Sequence, residues 1–155
     1  MSSAEPKPLK LQAKDGGDLN VISACLQDAL APVGDVAWLT VEQRMVIAFN
    51  RFMWEQGGED CGGELIYYRI HSLFSVEGVV RVRSRGFSLS ESDRMLSFMS
   101  LRFVDGGIDL IFAEDIQIRV ETENITAALA DQGEPWPTRW KPDHDLDSIA
   151  PDSVE

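Results

Sequence analysis

The feature that most constrains this chain is a two-residue alternation of apolar side chains along most of its length. Between residues 65 and 76 the even positions Ile66, Tyr68, Ile70, Phe74 and Val76 share one phase. Ile108, Leu110 and Phe112 repeat the pattern, followed by Ile116, Ile118 and Val120. Successive side chains of a strand point to opposite faces, so each such run buries one face and wets the other. The runs are separated by turn signals such as Asp105-Gly106-Gly107, not by crossover helices. That combination predicts a mostly antiparallel sheet.

Helical spacing is clear in one place. Leu19, Ile22, Leu26, Ala29 and Leu30 form a stripe that Val21 and Cys25 widen, with Asp15-Gly16-Gly17-Asp18 offering the N-cap and Pro32 and Gly34 the stop. The stripe predicts a helix over 18–30, preceded by a short strand through Leu9, Leu11 and Ala13. Residues 36–40 and 44–54 read as strands, rich in aromatic and branched side chains. Residues 55–64 hold four glycines and four acids, and read as a flexible hairpin loop. Glu77-Gly78 turns the long strand back, with Val80 and Val82 continuing its apolar face, and residues 94–104 form another strand. Residues 123–131 fit a short helix or a further strand, and the helix is preferred. Pro135-Trp136-Pro137 and Pro142 should stop any ladder. Residues 1–8 are then a disordered leader, 9–142 a single domain, and 143–155, with five acids and no Lys or Arg, a solvated tail. The fold class is α+β: an antiparallel sheet that could curl into a partial barrel, one N-terminal amphipathic helix, and room for a short C-terminal one.

An internal similarity supports two equivalent hairpins. Residues 70–87 and 108–125 align without a gap, with Ile70/Ile108, Phe74/Phe112, Arg81/Arg119 and Val82/Val120 identical.

Charge narrows the partners. A net charge of -12, from 26 acids against 14 bases, disfavours nucleic acid and anionic membranes, which need clustered cations. No apolar signal region opens the chain, and no window is long enough to span a bilayer. Two cysteines, Cys25 and Cys61, make neither a disulfide framework nor a metal-type pair, which points to the cytoplasm. No cofactor is implied.

Glycine-rich phosphate loops, the G-x-S-x-G elbow and the H-E-x-x-H helix are all missing. Only His71 and His144 could serve a His-based metal site. His71 falls out of phase with the apolar face of its strand and reads as solvated or satisfied. Asp143, Asp145 and Asp147 begin like a calcium loop, but Ser148 stands where the turn needs Gly and Val154 where a bidentate Glu belongs. Trp136 and Trp140, beside prolines, suggest a clasp that buries one or both indoles.

The sharpest positive feature is Arg81, Arg83 and Arg85. Spaced by two, they project from one strand face with Val80 and Val82 on the other. Two readings fit. Guanidiniums in a row can grip a phosphate or carboxylate. Alternatively, the repeat sets Arg83 and Arg85 against Glu121 and Glu123, which would pair across neighbouring strands.

Several blocks also carry a resemblance. Leu9-Lys10-Leu11-Gln12-Ala13, the segment around Ile22-Ser23-Ala24-Cys25-Leu26, Asn50-Arg51-Phe52-Met53-Trp54-Glu55, Val80-Arg81-Val82-Arg83-Ser84-Arg85-Gly86 and Pro135-Trp136-Pro137-Thr138-Arg139 resemble a bacterial family. It is catalogued as domain of unknown function two-nine-four-eight, and the likeness spans residues 9–144. The resemblance implies a cytoplasmic bacterial protein and supplies no activity, cofactor or catalytic residue. The reading from sequence is therefore a non-catalytic domain that binds a protein or a small anion, with Arg81, Arg83 and Arg85 as the site. The rivals are an enzyme using scattered carboxylates and a homodimer built on an exposed sheet edge.

Overall fold

A computed structural model describes residues 8–142. Its elements in chain order are β1 (Lys10–Ala13), α1 (Gly16–Cys25), β2 (Leu30–Pro32), β3 (Val36–Leu39), β4 (Arg44–Phe52), β5 (Glu59–Cys61), β6 (Glu64–Glu77), β7 (Val79–Arg85), β8 (Met95–Val104), β9 (Gly107–Phe112), β10 (Ile116–Thr122) and β11 (Ala127–Thr138). The strands hydrogen-bond in the order β1-β11-β6-β4-β2-β8-β9-β10-β7, with β3 on β4 and β5 on β6. Every pairing is antiparallel. The path ends at β1 and β7, which do not pair, so the curled sheet is not closed into a barrel. The α+β reading holds, with one α-helix among the described residues.

Alternation explains the core. Met45, Ile47 and Phe49 of β4, Ile70, Phe74 and Val76 of β6, and Ile108, Leu110 and Phe112 of β9 all point inward and are buried. Phe98 joins the two halves of the sheet, its ring edge-on to Phe49 at 5.7 Å and to Phe112 at 5.9 Å. Asp15 caps α1 by accepting a 2.8 Å hydrogen bond from the Asp18 N–H, and the helix covers the core with Leu19, Ile22 and Leu26. Among the described residues, no helix is long and apolar enough to cross a membrane.

Several expectations are corrected. The helix ends at Cys25, because Asp28 takes a left-handed φ of 63° and turns the chain. Ala29 stays in the core, but Leu30 enters β2 where a last helical turn was expected, and Val21 faces solvent. The glycine-rich segment is not all loop: β5 folds back on β6, pairing Cys61 with Glu64 across Gly62 and Gly63. Residues 127–138 are a strand, not a helix, and that strand runs through Pro135 and Pro137. It can do so because, among the described residues, β1 flanks only residues 127–130, which leaves the far half of β11 as an edge where a missing N–H is tolerated. A register irregularity between Gln132 and Trp136 absorbs the first proline.

The two similar segments are not equivalent either. Residues 107–122 fold as the β9–β10 hairpin, whereas β6 and β7 leave Gly78 in opposite directions and never pair. Gly78, at φ 68°, passes the chain from one half of the sheet to the other, a backbone turn that a side chain would strain. In consequence Val79 and Val82 line the core, and Val80 is turned out to solvent. Residues 143–155, which include His144 and the aspartates compared with a calcium loop, lie outside the described residues.

Candidate functional site

β7 presents its arginines outward from the side opposite Val82, which packs against the core while Val80 and Ser84 stay exposed. Val82 stands opposite Val120 and Ser84 opposite Ile118, both deeply buried, so Arg81, Arg83 and Arg85 project from the reverse side beside Glu121, Arg119 and Gln117. The row continues across the sheet, where Arg119 faces Asp109 on β9 and Asp109 faces Arg102 on β8. The outer face of β7–β10 thus carries five guanidiniums against the two carboxylates Asp109 and Glu121, a formal surplus of three positive charges. In a chain of net charge -12 this is a sharply localised reversal of sign.

Local pairing is partial. Arg83 reaches Glu121 at 2.9 Å, and Arg85 donates to the Gln117 Oε1 at 3.0 Å. One of the two expected cross-strand pairs therefore forms. No ion pair links Arg85 with Glu123. Arg119 grips Asp109 through Nε and Nη2 at 2.6 and 2.7 Å. Hydrogen bonds from Arg119 hold the Asp109 carboxyl below the usual carboxylate range against the opposing effect of burial, and the charge of Arg102 adds to that. Arg83, Ser84, Arg85, Gln117 and Arg119 line a shallow cleft of about 300 Å³.

A second charged cluster, absent from the expectations above, centres on a buried arginine. Arg51 on β4 is fully buried. Its Nε and Nη2 donate to the two oxygens of Asp131 on β11, both at 2.8 Å, and its Nη1 and Nη2 to the Glu55 carboxylate at 3.0 and 2.7 Å. Asp131 also accepts from the Ser72 hydroxyl at 2.7 Å and the Leu9 N–H at 2.8 Å. Burial pushes the Asp131 carboxyl up, but Arg51, Leu9 and Ser72 outweigh that and hold it below its ordinary range. Cys25 lies close enough that Arg51 pulls on its thiol, yet burial raises it overall, away from a reactive thiolate. Every donor of Arg51 is engaged inside the protein, which makes the cluster a closed structural network. A signal existed in the sequence: Arg51 continues the phase of Met45, Ile47 and Phe49, Ser72 that of Ile70, and Asp131 that of Leu129.

A larger, more open hollow of about 670 Å³ lies beside the β5–β6 hairpin, but its Arg139 is already paired with Glu64 at 3.2 Å. Of the expected tryptophan clasp, Trp136 is half-buried with its ring 4.8 Å from that of His71, while Trp140 is 80% exposed. Cys61 is exposed on β5. Among the described residues no cluster of His, Cys, Asp or Glu is arranged to hold a metal ion.

Neither the curated proteins nor the solved structures contain a match to this chain. The model of one family does match, over residues 9–144, a span that includes the arginine face and the Arg51 network, and its description is "Protein of unknown function (DUF2948)". With most of its length inside that match, the chain belongs to the DUF2948 family.

Proposed function

We propose that this is a non-catalytic binding domain whose outer β7–β10 face takes a small anionic ligand bearing carboxylate or phosphate groups. The observation that carries the reading is the surplus of guanidiniums around the cleft at Arg83, Arg85 and Arg119, in a protein otherwise strongly acidic. Guanidinium forks match planar carboxylates and phosphate oxygens, and the surrounding negative field favours one entry route over the rest of the surface. The two buried carboxyls with shifted titration, Asp109 and Asp131, are both driven down by arginine partners. A general acid near neutral pH needs the opposite shift, which weighs against the enzyme reading.

The test is thermal unfolding of the purified chain with a panel of nucleotides, sugar phosphates and dicarboxylates. A ligand at a hundredfold its Kd should stabilise the fold by about 2.7 kcal/mol. The shift should shrink with salt and vanish in the Arg83→Gln/Arg85→Gln variant. If no compound raises the midpoint of the wild-type protein, the small-anion reading is wrong.

A further inference from the structure

Among the described residues β7 is the terminal strand of the sheet and pairs only with β10. Its open edge has defined limits. At the start, the Val79 N–H donates to the Gln43 carbonyl at 2.8 Å, and just past the end the Gly86 carbonyl accepts from Arg94 at 3.1 Å. Between them, no strand among the described residues pairs with residues 80–85 on that side, and Arg81, Arg83 and Arg85 are exposed above it. Such an edge is a template for another extended segment. The sequence holds one of matching charge and period, Asp143-His144-Asp145-Leu146-Asp147.

Resting on the reading that this arginine face takes anions, we propose that residues 143–147 of a second copy of this chain add to β7 as an antiparallel strand, joining two copies reciprocally. The register follows from the side chains. Setting Asp145 opposite Arg83 brings Asp147 to Arg81 and Asp143 to Arg85, so all three carboxylates fall on the arginine side. The same register sets Leu146 beside Val82, the only residue between the arginines that packs against the core. A shift by one residue would turn the carboxylates to the opposite face, so the pattern fixes the alignment.

The occupant must come from another molecule. Asp143 directly follows Pro142, and Lys141 sits over the Tyr67 ring, 5.8 Å from its centre, near the start of β6. Arg85 lies at the far end of β7, so the rest of β6 beyond Tyr67, the Gly78 turn and the whole of β7 lie between the two places. With no residues between Pro142 and Asp143 to bridge the two places, a chain cannot lay its own segment on its own β7 in this register. An exchange between two copies is isologous and closes as a dimer.

Sedimentation of the full-length chain over a micromolar concentration series tests this. The wild type should dimerise, more weakly as salt rises. The full-length Asp143→Asn/Asp145→Asn/Asp147→Asn variant, altered only outside the described residues, should dissociate at least about tenfold more readily. Reversing the charges on both sides, with Arg81→Glu, Arg83→Glu and Arg85→Glu joined to Asp143→Lys, Asp145→Lys and Asp147→Lys, should restore the dimer. A monomeric wild type, or a dimer that the Asn variant leaves unchanged, overturns the strand exchange. Phosphate-bearing ligands tried on the same Asn variant separate the two ideas. Stabilisation there alongside a monomeric wild type leaves the anion site standing and removes the exchange, whereas a tail-dependent dimer that no small anion stabilises keeps the exchange and removes the small-anion site.

Discussion

Arg51 and Arg83 are both strand residues paired with glutamate or aspartate across the sheet, yet they sit in opposite physical regimes. Arg51 is buried in the core against the buried Asp131, whose other partners are a hydroxyl and a backbone N–H, and reaches outward to the partly exposed Glu55. Arg83 is about half-exposed, and among the described residues Glu121 is its only ion-pair partner. In the interior, a charge without its partner is costly, so every member of the Arg51 network constrains the others. At the surface, solvent screens the pair, and the guanidinium stays available to something else. Arginine alone therefore does not mark a site. The saturation of its donors separates a structural residue from a candidate ligand-binding one.

The largest effect should come from breaking the buried cluster. Asp131→Asn leaves Arg51 buried with only Glu55 as counter-charge and is expected to cost about 3–5 kcal/mol in urea unfolding. A loss below about 1 kcal/mol would mean that water reaches the cluster and that the contrast drawn above is false.

Acid should sharpen the same contrast. The Asp131 carboxyl is held below its unfolded value, near 3.9 for an ordinary aspartate, so its contribution is complete above that value and fades as pH falls through the folded one. Stability should stay level from neutral pH to about pH 5 and fall steeply below about pH 4. Asp131→Asn should flatten that acid limb. An equally steep limb in the variant would assign the acid sensitivity to other groups, Asp109 first among them.

The smallest effect belongs to the open face. Arg83→Gln removes one exposed pair and should shift stability by roughly 0.2–1 kcal/mol. A change of several kcal/mol would place Arg83 in the same class as Arg51.

What could be read from the sequence follows the same division. Strands with one wet face, such as β6, β9 and β10, show their alternation plainly, and the buried stripe Leu19, Ile22 and Leu26 is equally legible. β11 was hidden because Pro135 and Pro137 forbid a central strand, and only the short reach of β1 makes that half of it an edge. The β6–β7 junction looked like a hairpin because Glu77-Gly78 is good turn chemistry. Turn chemistry does not say whether the chain returns along the same strand or crosses to the other half of the sheet. Close approach was equally invisible: a Cβ at Gly107 would overlap the Val120 carbonyl oxygen, a constraint set by β10 and not by Gly107's neighbours in sequence. The arginine triplet stood out through spacing alone. Arg102 and Arg119 could be added to it only once the strand order was known.

The bond between Leu9 and Asp131 has a consequence for biosynthesis. The Leu9 N–H donates to the Asp131 carboxylate, and the Asp131 N–H donates to the Leu9 carbonyl at 2.9 Å, across 122 residues. Arg51 is made 80 residues before Asp131. At ribosomal speeds of about 5–20 residues per second, its guanidinium waits roughly 4–16 s for its main counter-charge. Over that interval β1 and β6 also lack the strand that lies between them. Folding that must wait for such distant pairings is slow and leaves strand edges unpaired meanwhile. The nascent chain is thus most vulnerable to misassociation just before β11 is complete, and a cell producing it quickly should need chaperone cover for that window more than for the finished protein.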